Sequence, residues 1–180
     1  RLYTDEFHLL KKHLVFVVLS GIAMLLTLNV PIKAWKKVDW LLLVLTFLLL
    51  IAVLMPGIGR EVNGSQRWIS LGFMTVQSSE IVKLFIVVYV AGYLVRRREE
   101  LHASWIGFVK PLAVVGAITL LLLLEPDFGA SVVIMLSVMC MLFLANVPFG
   151  RYLGVVCLLL VAAVMIAYLQ PYRVERISTF

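Results

Sequence analysis

Six apolar runs follow one another along this chain, at 13–30, 38–55, 79–95, 109–124, 130–147 and 152–169. A helix needs about 20 mostly apolar residues, with a range of about 17–25, to cross a bilayer core. Each run approaches that length once its flanks are counted. In hydrocarbon a helix satisfies its own backbone, which makes helices the default over strands. No strand alternation and no internal repeat stands out. Pro31, Pro56-Gly57, Pro126, Pro148 and Pro171 fall between the runs, and Pro111 is expected in a first helical turn, where a missing N–H costs least. The expected fold class is therefore all-α. It is a polytopic transmembrane helix bundle forming a single domain segment over residues 1–180, with six spanning helices and an outer interfacial segment at 56–78.

Composition agrees. Apolar residues make up 63% of the chain and charged ones 14%, and mean hydropathy is +1.06. Soluble domains are about half apolar and a quarter charged. This excludes a soluble globular domain, a disordered tail and a fibrous protein. The net charge of +6 would suggest nucleic acid in a soluble chain. Here the bases sit in short loops, which fits membrane orientation. One set of loops holds Lys33, Lys36, Lys37, Arg96, Arg97, Arg98, Lys110 and Arg151, and the opposite set holds only Arg60 and Arg67. The positive-inside rule places the first set in the cytoplasm. Arg1, Lys11, Lys12, Arg173 and Arg176 lie on the other side and weaken the bias. Trp35, Trp40, Trp68, Trp105, Tyr93, Tyr152, Tyr168 and Tyr172 lie near run ends, where amphipathic rings prefer the interface. Cys140 and Cys157 both lie inside apolar runs, without disulfide or metal spacing.

The polar chemistry concentrates on the outer side. Residues 60–84 are too polar to span and too apolar to float in solvent, so an interfacial or partly re-entrant segment is expected. Ser78 or Ser79 can cap the helix that follows. Glu80 and Lys83 are three apart and share a helix face. Lys83 stands deeper in the apolar run, where a charge costs a few kcal/mol and must face protein or water. Two readings are open: an intrahelical ion pair that makes Lys83 tolerable, or a cation aimed into an outward cavity and oriented by Glu80. Arg67 is either an interfacial anchor or a bidentate phosphate ligand. Asn63-Gly64-Ser65 matches a glycosylation acceptor and equally a tight turn. Asp127, in Glu125-Pro126-Asp127-Phe128-Gly129, either caps the next helix or faces the same cavity as Lys83 and Arg67. Arg96-Arg97-Arg98-Glu99-Glu100 reads as a solvated helix end, and His8, His13 and His102 show no ligand spacing. Residues alone leave a transporter and a lipid-processing enzyme both open.

The order of words narrows this. Asn63-Gly64-Ser65-Gln66-Arg67-Trp68-Ile69-Ser70-Leu71-Gly72, Gln77-Ser78-Ser79-Glu80 with Lys83, Glu125-Pro126-Asp127-Phe128-Gly129 and Pro171-Tyr172-Arg173-Val174-Glu175-Arg176 together resemble the SEDS family (shape, elongation, division, sporulation). Tyr93-Leu94-Val95-Arg96-Arg97 and Phe108-Val109-Lys110-Pro111 look closer to its division branch than to its elongation branch.

The resemblance implies a bacterial inner-membrane, multi-pass peptidoglycan glycosyltransferase acting at the division septum. It would polymerise lipid II on the periplasmic side. A lipid II flippase and a non-enzymatic divisome scaffold are the alternatives. The implied site is Lys83, Glu80 and Asp127 as catalytic support, with Arg67, Lys83 and Gln77 on the substrate. Cations near the outer interface would stabilise the leaving diphosphate. The resemblance fixes no cofactor, and a divalent cation such as magnesium, held by Asp127 with phosphate oxygens, is a candidate. Implied partners are a class B penicillin-binding transpeptidase (FtsI), FtsQ, FtsL, FtsB and membrane lipid, with no nucleic acid. Family members have about ten spanning helices, so the sequence is expected to be a segment incomplete at both ends. The general-base aspartate is expected beyond Phe180, and residues 1–180 alone are expected to be inactive. Gln77-Ser78-Ser79-Glu80 carries Ser where the family commonly has Pro.

Overall fold

The computed structural model describes residues 2–55, 57–62, 65–70 and 75–169. Among these described residues there are seven helices: α1 (Leu2–Leu28), α2 (Ile32–Leu54), α3 (Ser78–Arg96), α4 (Arg98–Ala103), α5 (Trp105–Leu124), α6 (Phe128–Leu144) and α7 (Phe149–Leu169). The Pro171–Arg176 motif and Leu71-Gly72 lie outside the described residues. Helix ends follow local chemistry. Pro31 is the N-cap of α2, a position where its missing N–H is no loss. Ser104 caps α5 by accepting from the Gly107 N–H at 3.0 Å. Asn146 closes α6 in the left-handed conformation, φ 56°, a conformation Asn tolerates better than most residues.

One apolar core joins α2, α3, α5 and α6 through Leu50, Ile86, Val115, Ile118, Ile134 and Leu142, all almost fully buried. The outward faces are apolar as well: Leu48, Leu84, Leu120 and Leu136 are exposed where a soluble protein would carry charge. Helices hydrophobic all round need a nonpolar solvent, and the molecule is a membrane protein. The expected six spans are only partly met. Among the described residues α2, α3 and α5 are long and apolar enough to cross. The apolar lengths of α1 (His13–Leu28), α6 and α7 (Phe149–Val161) are shorter. Cys140 and Cys157 are free and exposed on these outer faces.

Between α2 and α3 the chain forms a three-stranded antiparallel sheet, β1 (Gly59–Val62), β2 (Ser65–Ser70) and β3 (Thr75–Gln77), in the order β1-β2-β3. The sequence points to an interfacial or partly re-entrant segment here and does not show these strands. Val62 pairs with Ser65, and Asn63-Gly64 between them lie outside the described residues. Pairing strands satisfies backbone groups that an irregular loop would leave unpaired near the apolar boundary.

The opposite, basic end is tied by contacts that sequence reading missed. Asp39, the second residue of the 38–55 apolar run and 2% exposed, pairs with Arg96 of α3. Gly92 permits this, since a Cβ there would collide with Asp39 Oδ2. Pro111 lies inside α5, not in its first turn, because Ser104 starts the helix earlier than expected. A proline leaves the carbonyl four residues back unbonded. That carbonyl, Gly107 O, instead accepts from the Tyr93 hydroxyl at 2.9 Å. Arg151 of α7 donates to the Leu101, His102 and Ser104 carbonyls at 3.1–3.2 Å and stands over the Trp105 ring.

Candidate functional site

Three chain segments meet at the sheet end of the bundle: β2, the β3–α3 junction and the α5–α6 turn. The β2–β3 register places Trp68 opposite Gln77, which brings Arg67 beside the first residues of α3. Ser78 and Ser79 are the first two residues of α3, but neither caps it. The N-cap is Gln77, whose side chain makes no capping bond to the helix. Both hydroxyls turn inward instead, and both residues are fully buried.

Asp127 is the hub. Its Oδ2 accepts from the Ser79 hydroxyl at 2.7 Å and from Gln77 Nε2 at 2.9 Å. Its Oδ1 accepts from the Ala130 N–H at 3.2 Å, capping α6, and lies 3.4 Å from Arg67 Nη1. Asp127 is therefore a cap, as one sequence reading has it, and it also meets Arg67, but not Lys83. Burial alone would raise its pKa. The hydrogen bonds from Ser79, Ala130 and Gln77 and the charge of Arg67 outweigh that and hold the carboxyl below its ordinary value.

Glu125, two residues away, is the opposite case. It is fully buried, and burial pushes its pKa up to about 7; the Ser78 contact and Arg67 pull down, while the Asp127 charge adds to the rise. The Ser78 hydroxyl lies 3.2 Å from Glu125 Oε2 and 3.3 Å from the Arg67 carbonyl oxygen. Glu125 was outside the residues expected to form the site. The signal available was a second carboxyl two residues from the first, in a turn too short to expose both.

Lys83 and Glu80 stand apart from this cluster. Lys83 Nζ donates to Glu80 Oε1 at 2.7 Å, so the ion pair read from the i,i+3 spacing is present. The pair lines a cleft of about 470 Å³ between α3 and α6, completed by Ile81, Leu84, Val87, Ile134 and Ser137. Arg67 and Asp127 are not among its lining residues. The expectation of one shared hollow is corrected to two neighbouring places. Lys83 is four residues past Ser79, about 6 Å further down the same helix face. The cleft thus lies below the Asp127 cluster along the α3–α6 seam. The reason is local: Ser79 and Gln77 draw Asp127 against the top of α3, and Arg67 follows it.

The arrangement offers anions two partly exposed cations. The Arg67 side chain is 29% exposed and held by one long contact, which leaves guanidinium N–H groups available. Lys83 is 26% exposed, with apolar walls beside it. Such a place suits a molecule with an anionic head and an apolar tail. A divalent cation fits less well. Both Asp127 oxygens are already bonded, and among the described residues no group of three or more His, Cys, Asp or Glu side chains could hold one.

Comparison with known proteins identifies the family. The family description of FtsW, RodA and SpoVE cell cycle proteins matches residues 1–180. A probable peptidoglycan glycosyltransferase FtsW of Pseudomonas fluorescens is 48% identical over 98% of this chain and 43% of its own length. Its counterpart from Saccharophagus degradans is 47% identical over 99% of this chain and 46% of its own length. The chain thus spans a little under half the length of these curated relatives. Among solved structures, one described as the structural coordination of polymerization and crosslinking by a peptidoglycan synthase complex superposes with a TM-score of 0.71 at 28% identity. That superposition covers 89% of this chain and 48% of the other. Thermus thermophilus RodA superposes with a TM-score of 0.59 at 28% identity, over 72% of this chain and 42% of its own. The chain belongs to the SEDS family, the cell cycle proteins that include FtsW, RodA and SpoVE.

Proposed function

We propose that this chain supplies the diphosphate-binding part of a peptidoglycan glycosyltransferase that polymerises lipid II on the periplasmic side of the bacterial inner membrane, at the division septum. The observation that carries the reading is a cation with apolar walls at its side: Lys83 in the α3–α6 cleft, one turn below the Arg67–Asp127 cluster. The FtsW names of the relatives support the enzyme class.

In the reaction an acceptor sugar hydroxyl attacks the anomeric carbon of the lipid-linked donor. A new C–O bond forms, the bond from that carbon to the diphosphate oxygen breaks, and the lipid diphosphate leaves with the electron pair. A general base takes the hydroxyl proton. By family resemblance that base is an aspartate outside this sequence. Lys83 and Arg67 stabilise the negative charge that grows on the leaving group, an effect strengthened where water is scarce. Glu80, bonded to Lys83 Nζ, keeps it aimed. Asp127, held by Gln77, Ser79 and Ala130, fixes Arg67. The isoprenoid tail lies along Leu84 and Val87. Charge stabilisation here comes from side chains, with no step assigned to a metal.

The solved synthase complex supports a crosslinking partner, and by family resemblance that partner is a class B transpeptidase of the FtsI kind. FtsQ, FtsL and FtsB belong to the same proposal by family resemblance. The test uses the full-length protein in vesicles with lipid II. Glycan polymer is the expected product. Translocation without polymer would mean a flippase, and neither activity would leave a scaffold. Lys83→Ala should lose polymerisation while still inserting into the membrane.

A further inference from the structure

Two buried polar atoms at the sheet end have no hydrogen-bond partner among the described residues: Arg67 Nε and Glu125 Oε1. They belong to side chains of opposite formal charge, yet Arg67 pairs with Asp127. Glu125 is 0% exposed. An ionised carboxylate buried there, with one oxygen bare and a second carboxylate two residues away, would be a costly arrangement. The Ser78 contacts point the same way. One hydroxyl proton faces two oxygens, Glu125 Oε2 at 3.2 Å and the Arg67 carbonyl at 3.3 Å, and cannot serve both. With a proton on Glu125 Oε2 each donor is used once: the Glu125 O–H donates to Ser78, and the Ser78 O–H donates to the Arg67 carbonyl.

We propose that Glu125 is held as a neutral acid and is a positioning residue for Arg67: protonated, it leaves the guanidinium on Asp127 and open to an anion; ionised, it draws Arg67 Nε inward and off the anion. The charged groups acting on Glu125 are Arg67 from β2 and Asp127 from the α5–α6 turn, while α3 presents the uncharged Ser78. Burial sets its pKa at about 7, so the change of state falls near neutral pH. The proposal deepens the reading of Arg67 as a diphosphate ligand and rests on it.

The test uses the full-length protein in nanodiscs, with undecaprenyl diphosphate as probe, between pH 5 and pH 8. Two quantities are measured for the wild type, Glu125→Gln and the apolar near-isostere Glu125→Met: the thermal unfolding midpoint without probe, and the Kd for the probe. In the wild type the midpoint should fall as pH rises towards 7, because folding has raised the Glu125 pKa and ionisation favours the unfolded chain. The Kd should weaken about tenfold from pH 6 to pH 8. Both variants should flatten both profiles, and if Glu125→Gln does not fold, Glu125→Met carries both measurements. A variant that keeps the wild-type slope in unfolding overturns the neutral acid. Flattened unfolding with an unchanged Kd profile overturns the positioning role. Absence of probe binding at every pH overturns the diphosphate reading and the positioning role with it, while the unfolding profile still decides the protonation of Glu125.

Discussion

Asp127 meets its partners with both oxygens, and each partner loses something different if it goes. Asp127→Ala strips Gln77, Ser79, Ala130 and Arg67 of their acceptor together. With several buried donors orphaned at once, the loss should reach about 3 kcal/mol. Asp127→Asn keeps one acceptor oxygen and should cost about half as much; chemical denaturation of the full-length protein in detergent compares the two. The pH signs at this site oppose each other. Asp127 has a lowered folded pKa, so its contribution is present above the ordinary carboxylate range and is lost as pH falls through the lowered value. Glu125 has a raised one, so its contribution is present below its ordinary value of 4.5 and fades as pH rises to about 7. Wild-type stability should therefore peak on the acid side of neutrality, as thermal unfolding across pH 3–8 would record. At this scale the sequence was informative about residue types and poor about partners. The spacing of Glu80 and Lys83 fixes their meeting, because both lie on one helix. The meeting of Asp127 with Ser79, 48 positions earlier, depends on how two helices dock, which no local pattern encodes.

Between α2 and α3 the contact is close because three residues agree. Gly92 clears space, Asp39 fills it, and Arg96 neutralises the charge. The two partners are unequal: Asp39 is buried, while the Arg96 side chain is 42% exposed. Arg96→Ala leaves a bare buried carboxylate and should cost about 3 kcal/mol. Asp39→Asn leaves a cation that can reach the interface and should cost under about 1 kcal/mol. Equal losses in the two variants would contradict this asymmetry. At the Pro111 break in α5, Tyr93→Phe should cost about 1 kcal/mol, the loss of the bond that satisfies Gly107 O. Helices were legible here because hydrophobic length and breakers are local. The sheet was not, since its strands are three to six residues long and carry too few alternations to register. Asn63-Gly64 is a local mark for it, and that mark fits a glycosylation acceptor or a tight turn equally well.

Across the whole molecule, the bundle separates a basic end from an end that carries a sheet and two partly exposed cations. Composition and charge bias were enough to foresee a polytopic helical membrane protein and the end where its polar chemistry gathers. They could not foresee that this chemistry divides into a buried carboxylate cluster and a cleft one turn below it, because that division is made by the docking of the α5–α6 turn against α3. The central claim is that these two neighbouring places together grip a lipid-linked diphosphate. The most direct measurement is the Kd of the full-length protein in nanodiscs for undecaprenyl diphosphate, compared with Lys83→Ala and Arg67→Ala. Each variant should bind at least about tenfold more weakly, the loss of one charge-assisted hydrogen bond. Wild-type affinity in both variants would contradict the account.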